Sequence, residues 1–294
     1  MLAIRTFAQR AGSVAVVGGA LALGGCASAS SITPQEESQL GAQYSAEINQ
    51  QLPIVQNSAV HSYINQLGRS IASRVDPRLN YTFYVVNAPE VNAFAVPGGY
   101  IYVNRGLIER AATLSELAGV LGHEIGHVVE RHGLEQMARM QNTSLGVNLA
   151  YVLLGRQPGG LEQVALQGGA AAFFASHSRD DENQADEVAV QYMVQSGIDP
   201  QGMVNMFERL IEEQERSPSA VEQWFSTHPL TQDRIENTQS YINQLPASAR
   251  GGAGERGVGV RARDEAARVR VAEAVARADN LDEVKFHGVL LPEA

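Results

Sequence analysis

The chain has 294 residues, enough for one well-buried domain with tails. Apolar residues make up 44% and charged residues 18%, which excludes collagen-like and wholly disordered chains. A formal net charge of -10, one lysine (Lys285) and no basic stripe interleaved with aromatics exclude a nucleic-acid partner, and one cysteine, Cys26, excludes an intramolecular disulfide.

In chain order, residues 1–12 carry Arg5 and Arg10 without acids, and residues 13–23 are a run of small and apolar side chains. This is the basic and apolar arrangement of an export signal, and the run is shorter than the roughly 20 residues a spanning helix needs. It ends in Leu23-Gly24-Gly25-Cys26, which resembles the bacterial lipobox, so residues 1–25 are expected to be removed and Cys26 to be acylated. The alternative is cleavage after Ala27-Ser28-Ala29, with Cys26 discarded. With Ala27 and Ser28 after the cysteine, resemblance to lipoprotein sorting implies an anchor facing the periplasm, in the outer rather than the inner membrane.

Thr33-Pro34 followed by Glu36 and Glu37 predicts a capped helix running to about residue 52. A second helix is expected over 58–74, with Val60, Ile64, Leu67 and Ile71 on one face. Three short extended runs follow, at 81–86, 91–96 and 100–103, the last two joined by Pro97-Gly98-Gly99, and together they predict a small antiparallel sheet. A long helix is expected over 114–140, then an Ala/Gly/Leu-rich stretch to 175 broken by Pro158-Gly159-Gly160. Further helices are expected at about 182–196, 201–216 and 231–243. Residues 246–260 have a linker's glycine content, and 261–294 form a tail whose role is not legible.

The chemistry sits in His123-Glu124-Ile125-Gly126-His127. Residues four apart on a helix differ by about 40° in direction and about 6 Å in height, so both imidazoles reach one ion. Glu124, one residue round, can reach a metal-bound water without ligating, which is the position of a general base. Zinc suits imidazole and carboxylate donors with one position left open, although cobalt or manganese fit the same donors. Leu117, Val120, Leu121, Ile125 and Val128 make an apolar set that these polar groups interrupt, and burying them without a metal is costly. A third ligand has to come from elsewhere. Glu182 and Asp186 stand four apart on a predicted helix, so one can bind metal while the other orients a liganding histidine; alternatively the acid cluster is a solvated helix start.

Four segments in order resemble peptidase family M48. They are Asn92-Ala93-Phe94-Ala95-Val96-Pro97-Gly98-Gly99-Tyr100-Ile101-Tyr102-Val103, Glu116 to His127, Glu182-Asn183-Gln184-Ala185-Asp186, and Thr227-His228-Pro229-Leu230 with Arg234. The resemblance implies an α+β, mainly helical zincin-like domain over residues 26–245, with the small antiparallel sheet beside the active-site helix. It implies one zinc ion held by His123, His127 and Glu182, with Glu124 as general base and Asp186 behind the ligands. It also places His228 and Arg234 near the site, where they could stabilise an oxyanion; the alternative for His228 is a loop residue capping the helix near Thr231. Asn92, Ala93, Phe94 and Ala95 are implied as an edge strand that pairs with substrate backbone. The function implied is a zinc endopeptidase of the bacterial envelope acting on unfolded or misassembled proteins. His132 is expected to be solvated, and His61, His177 and His287 to be non-catalytic.

Overall fold

A computed structural model of the chain describes residues 32–56, 58–141 and 176–250. The expected export signal with Cys26, nearly all of the stretch up to residue 175, and most of the linker and the tail lie outside the described residues.

Helix α1 (Pro34–Gln51) begins in a reciprocal cap: Thr33 Oγ1 accepts from the Glu36 N–H at 3.3 Å while Glu36 Oε2 accepts from the Thr33 N–H at 2.8 Å. Helix α2 (Ser58–Val75) buries Val60, Ile64, Leu67 and Ile71 against the sheet, as its spacing predicts. The strands are β1 (Thr82–Val86), β2 (Ala93–Val96) and β3 (Tyr100–Asn104). Their order is β1-β3-β2, with β2 antiparallel to β3 but β1 parallel to it. The sheet is therefore mixed, which corrects the antiparallel expectation. Gly98 and Gly99, at φ 83° and 91°, close a hairpin between β2 and β3. The connection from β1 runs past the slot that β3 then fills, leaving β2 at the sheet edge beside the central helix.

Short helix α3 (Arg105–Arg110), which the sequence pattern did not predict, leads to α4 (Leu114–Val129), buried continuously from Glu116 to Val128. The expected single helix over 114–140 is two. Arg131 adopts φ 61°, a left-handed conformation unfavourable for a side chain with a Cβ, and α5 (His132–Gln141) starts in a new direction. That turn is secured by the Arg131 guanidinium, whose Nε and Nη2 donate to Glu37 Oε2 at 3.0 and 2.8 Å.

Helix α6 (Arg179–Gln195) packs along α4 and starts three residues earlier than predicted, because Ser178 and Asp181 form a second reciprocal cap. The close approach depends on Gly126: a Cβ there would stand 2.8 Å from Val188 Cγ2 and 3.0 Å from the Ala185 carbonyl oxygen. Helix α7 (Gln201–Arg216) covers another face of α4. It is followed by α8 (Pro218–Thr227), also unpredicted, then α9 (Gln232–Gln244) and a single exposed turn, α10 (Ala247–Arg250), at the start of the expected linker. Among the described residues no helix is long and apolar enough to cross a membrane.

Candidate active site

Helix α4 presents His123 and His127 one turn apart, with their Nε2 atoms 2.9 Å from each other. From the first turn of α6, Glu182 brings Oε1 to 3.3 Å from His127 Nε2 and Oε2 to 3.6 Å from His123 Nε2. His228, which ends α8, places Nδ1 3.3 Å from His123 Nε2 and 3.1 Å from Glu182 Oε1. The ligand atoms of these four buried side chains all lie within 4.8 Å of one another. Four donors at roughly 2.0–2.1 Å from one zinc ion would stand about 3.3 Å apart on a tetrahedron, so the observed spacings suit such an ion.

The electrostatics point the same way. Burial pushes the Glu124 carboxyl up from its ordinary range, with His228 and His123 opposing that rise. Among the described residues neither Glu124 oxygen has a hydrogen-bond partner, and His228 Nε2 lies 3.5 Å from Oε1. Burial by itself would raise Glu182 too, but His228, Arg234 and His123 outweigh it and hold the carboxylate well below its usual range. Burial, with His177 and His123 next in effect, keeps His127 neutral, as a ligand must be. Burial disfavours the charged form of His228, yet the Glu182 and Glu124 carboxylates more than offset it and raise its pKa. Two buried carboxylates facing a set of imidazoles make a donor set that calls for a cation.

Behind the ligands, Asp186 Oδ1 lies 2.8 Å from His123 Nδ1, and the same carboxylate takes a two-pronged contact from Arg234, Nε and Nη2 each donating at 2.8 Å. Arg234 Nη1 donates to the Pro229 carbonyl at 2.9 Å and also contacts Glu182, and the guanidinium carbon lies 5.1 Å from the centre of the Phe207 ring. The guanidinium is thus committed to the two carboxylates and is 1% exposed. The helix after His228 is capped by Thr231, whose Oγ1 accepts from the Arg234 N–H, so the capping alternative for His228 does not hold.

One histidine departs from expectation, and a second packs on the site without a sequence signal. His132, expected in solvent, is 2% exposed, and its Nδ1 lies 2.9 Å from His127 Nδ1. On an unbroken helix it would point away; the left-handed Arg131 swings it back under His127. His177, immediately before the Ser178 cap, stacks on His127 with ring centres 3.9 Å apart and donates its backbone N–H to the Thr227 carbonyl. Neither had a periodic or motif signal in the sequence. His61 lies away from the centre, stacked on Tyr84, and His287 lies outside the described residues. Of the proposed edge-strand residues, Ala93, Phe94 and Ala95 are in β2, and Asn92 precedes it with its carbonyl accepting from the Asn104 N–H. A narrow cleft is lined by Ala95 and Val96 of β2 together with His127 and His177.

Two histidines a helical turn apart, an acid between them and a buried carboxylate from a second helix form the donor pattern found in zincin-type metallopeptidases. The chain belongs to peptidase family M48, whose profile matches residues 55–242. It is 30% identical over 229 residues to a putative beta-barrel assembly-enhancing protease of Vibrio cholerae, and 31% identical over 229 residues to the beta-barrel assembly-enhancing protease of Yersinia pestis. These alignments take in 76% and 75% of this chain but 47% of each relative, so the chain spans about half their length. It is also 31% identical over 180 residues to metalloprotease LoiP of Escherichia coli, covering 61% of this chain and 68% of that protein.

Proposed function

We propose that this chain is a zinc endopeptidase of the bacterial cell envelope, acting on unfolded or misassembled proteins, with one zinc ion held by His123, His127 and Glu182. The observation that carries the proposal is the convergence of those three side chains, from two helices, beside a fully buried Glu124 whose carboxylate accepts no hydrogen bond among the described residues. Bound zinc would supply Lewis acidity, polarising a peptide carbonyl and making water easier to deprotonate. Glu124, with its raised pKa, accepts the proton from the attacking water and returns it to the leaving amine. Asp186 orients His123, and Arg234 holds both Asp186 and Glu182 in place, a role its contacts suit better than the oxyanion role the resemblance implied.

His228 completes a four-donor set, and a filled set leaves no position for water or substrate. The arrangement therefore suits a latent centre that is released when His228 swings away. The substrate backbone pairs in extended form with the β2 edge at residues 92–95, which favours unfolded segments. The names of the beta-barrel assembly-enhancing proteases support an envelope role in protein assembly and quality control. A lipid anchor at Cys26, in the outer membrane, fits that setting, and palmitate labelling lost in Cys26→Ser tests it.

The test of the catalytic reading compares casein cleavage by the wild type, Glu124→Gln and His228→Ala, with bound zinc measured in each. Glu124→Gln is expected to keep zinc and lose on the order of 10²–10⁴-fold in rate, while His228→Ala gains activity. Equal cleavage by wild type and Glu124→Gln contradicts the mechanism. Zinc in all three with cleavage by none contradicts the peptidase reading and leaves a metal-bearing binding module.

A further inference from the structure

The two histidines of the metal-binding motif are supported differently, and the support for His127 runs through residues that the motif does not include. We infer that His132 is a positioning residue for the metal centre: it accepts a hydrogen bond from His127 Nδ1 and passes the donor direction on through Gln184 to Glu130, which fixes His127 in the tautomer that leaves Nε2 free to bind metal. The inference rests on the zinc reading above.

The geometry is a single chain of contacts. His127 Nε2 faces the ligand set, 2.9 Å from His123 Nε2 and 3.3 Å from Glu182 Oε1. A neutral imidazole that offers the lone pair of one nitrogen carries its proton on the other, so the proton of His127 belongs on Nδ1. The partner of Nδ1 is His132 Nδ1 at 2.9 Å. Two nitrogens at that distance share one proton, so His132 Nδ1 must accept, and the proton of a neutral His132 then sits on Nε2. Nε2 is 3.1 Å from Gln184 Oε1, an atom that can only accept. The same amide donates through Nε2 to Glu130 Oε2 at 2.8 Å. Every bond in the series thus points from the ligand set toward the Glu130 carboxylate, which takes the last proton donor. Reversing the first bond would put a proton on His127 Nε2, where it would face the ligands. Asp181 Oδ1, 3.9 Å from His132 Nε2, lies on the same side and favours the same direction.

The fold is arranged to hold this chain. His132 comes under His127 because Arg131 takes its left-handed turn, and Gln184 stands on α6 between Glu182 and Asp186, the helix that also brings those two carboxylates. His132 is buried while Gln184 and Glu130 reach the surface, so the series begins in the core and ends in solvent. Partners of this kind, lying behind a metal ligand, typically alter metal affinity by about 10–100-fold when removed.

The test has two arms. In the zinc-loaded protein, two-bond ¹⁵N–¹H correlation of the imidazole nitrogens should show His127 protonated on Nδ1 alone and His132 on Nε2 alone; His132 protonated on Nδ1, or on both nitrogens, overturns the inference. In competition with a chromophoric chelator, His132→Leu should bind zinc about 10–100-fold more weakly than wild type. His132→Asn, whose Oδ1 stands where the imidazole Nδ1 was and can still accept, should recover most of that loss. Wild-type affinity in His132→Leu, or equal loss in both variants, counts against the positioning role. If His132→Leu does not fold, the wild-type spectrum decides. Absence of zinc from the wild type would instead overturn the centre itself, whereas a zinc-loaded wild type and an unaffected His132→Leu would overturn this inference alone.

Discussion

His123 and His127 sit one turn apart on the same helix, yet what stands behind them is unlike. His123 is backed by charge: Asp186, itself gripped by Arg234 in a fully buried pair. His127 is backed by a second imidazole and an amide, ending at a surface carboxylate. A buried ion pair is unforgiving, because removing one partner leaves an unpaired charge in a low-dielectric interior. A series of hydrogen bonds that ends in solvent loses only direction. The ion-paired side should therefore govern whether the site folds, and the hydrogen-bonded side how well a folded site holds metal.

The largest expected effect is on the charged side. Arg234→Met leaves Asp186 and Glu182 buried without their cation and is expected to lower stability by about 3–5 kcal/mol, read from urea unfolding of the metal-free protein. A loss as small as that of His132→Leu would break the comparison. Next comes the helix contact that both sides share. Gly126→Ala would drive a methyl to within 2.8 Å of Val188 and 3.0 Å of the Ala185 carbonyl oxygen, forcing α6 outward at a cost of about 1–3 kcal/mol. Because α6 carries Glu182, Gln184 and Asp186, both supports should weaken together, seen as a lower Tm and weaker zinc binding.

The smallest effect is expected from an acid–arginine pair outside the site. Asp76 is buried, and burial would raise its pKa, but hydrogen bonds from Arg78 and Tyr81 outweigh that and hold it below its ordinary value. Arg78, unlike Arg234, is half exposed. A carboxylate whose folded pKa is depressed contributes stability that is full above its unfolded pKa, about 3.9, and fades as pH falls through the folded value. Asp76→Asn should thus cost about 1 kcal/mol or less at pH 7, with the gap from wild type closing as pH drops below about 4. A gap that widens in acid would contradict the assignment.

These differences also mark how far the chain could be read before its fold was known. The pairing of His123 with His127 was legible because a four-residue spacing on one helix is local, and the cap at Thr33 announces its helix start within a few residues, whereas the Ser178 cap was not read and its helix begins three residues early. The strand segments were legible too, but not that β3 would come to lie between β1 and β2, since neighbour order depends on long-range packing. His132 was misplaced because nothing in Glu130-Arg131-His132 signals a left-handed arginine, and the Glu37 carboxylate that holds its guanidinium stands 94 residues away. His177 stacks on His127 only because α6 brings the start of its own cap to that histidine. That Arg234 would grip Asp186 behind His123 is visible only in three dimensions.

The central claim is that α4 and α6 jointly build one zinc centre. Its most direct test is zinc stoichiometry, measured by elemental analysis after removal of free metal, for the wild type and Glu182→Ala, with circular dichroism confirming that both are folded. One zinc per chain is expected in the wild type and little or none in Glu182→Ala. Full zinc content in the folded Glu182→Ala protein, or none in the wild type after reconstitution, would contradict it.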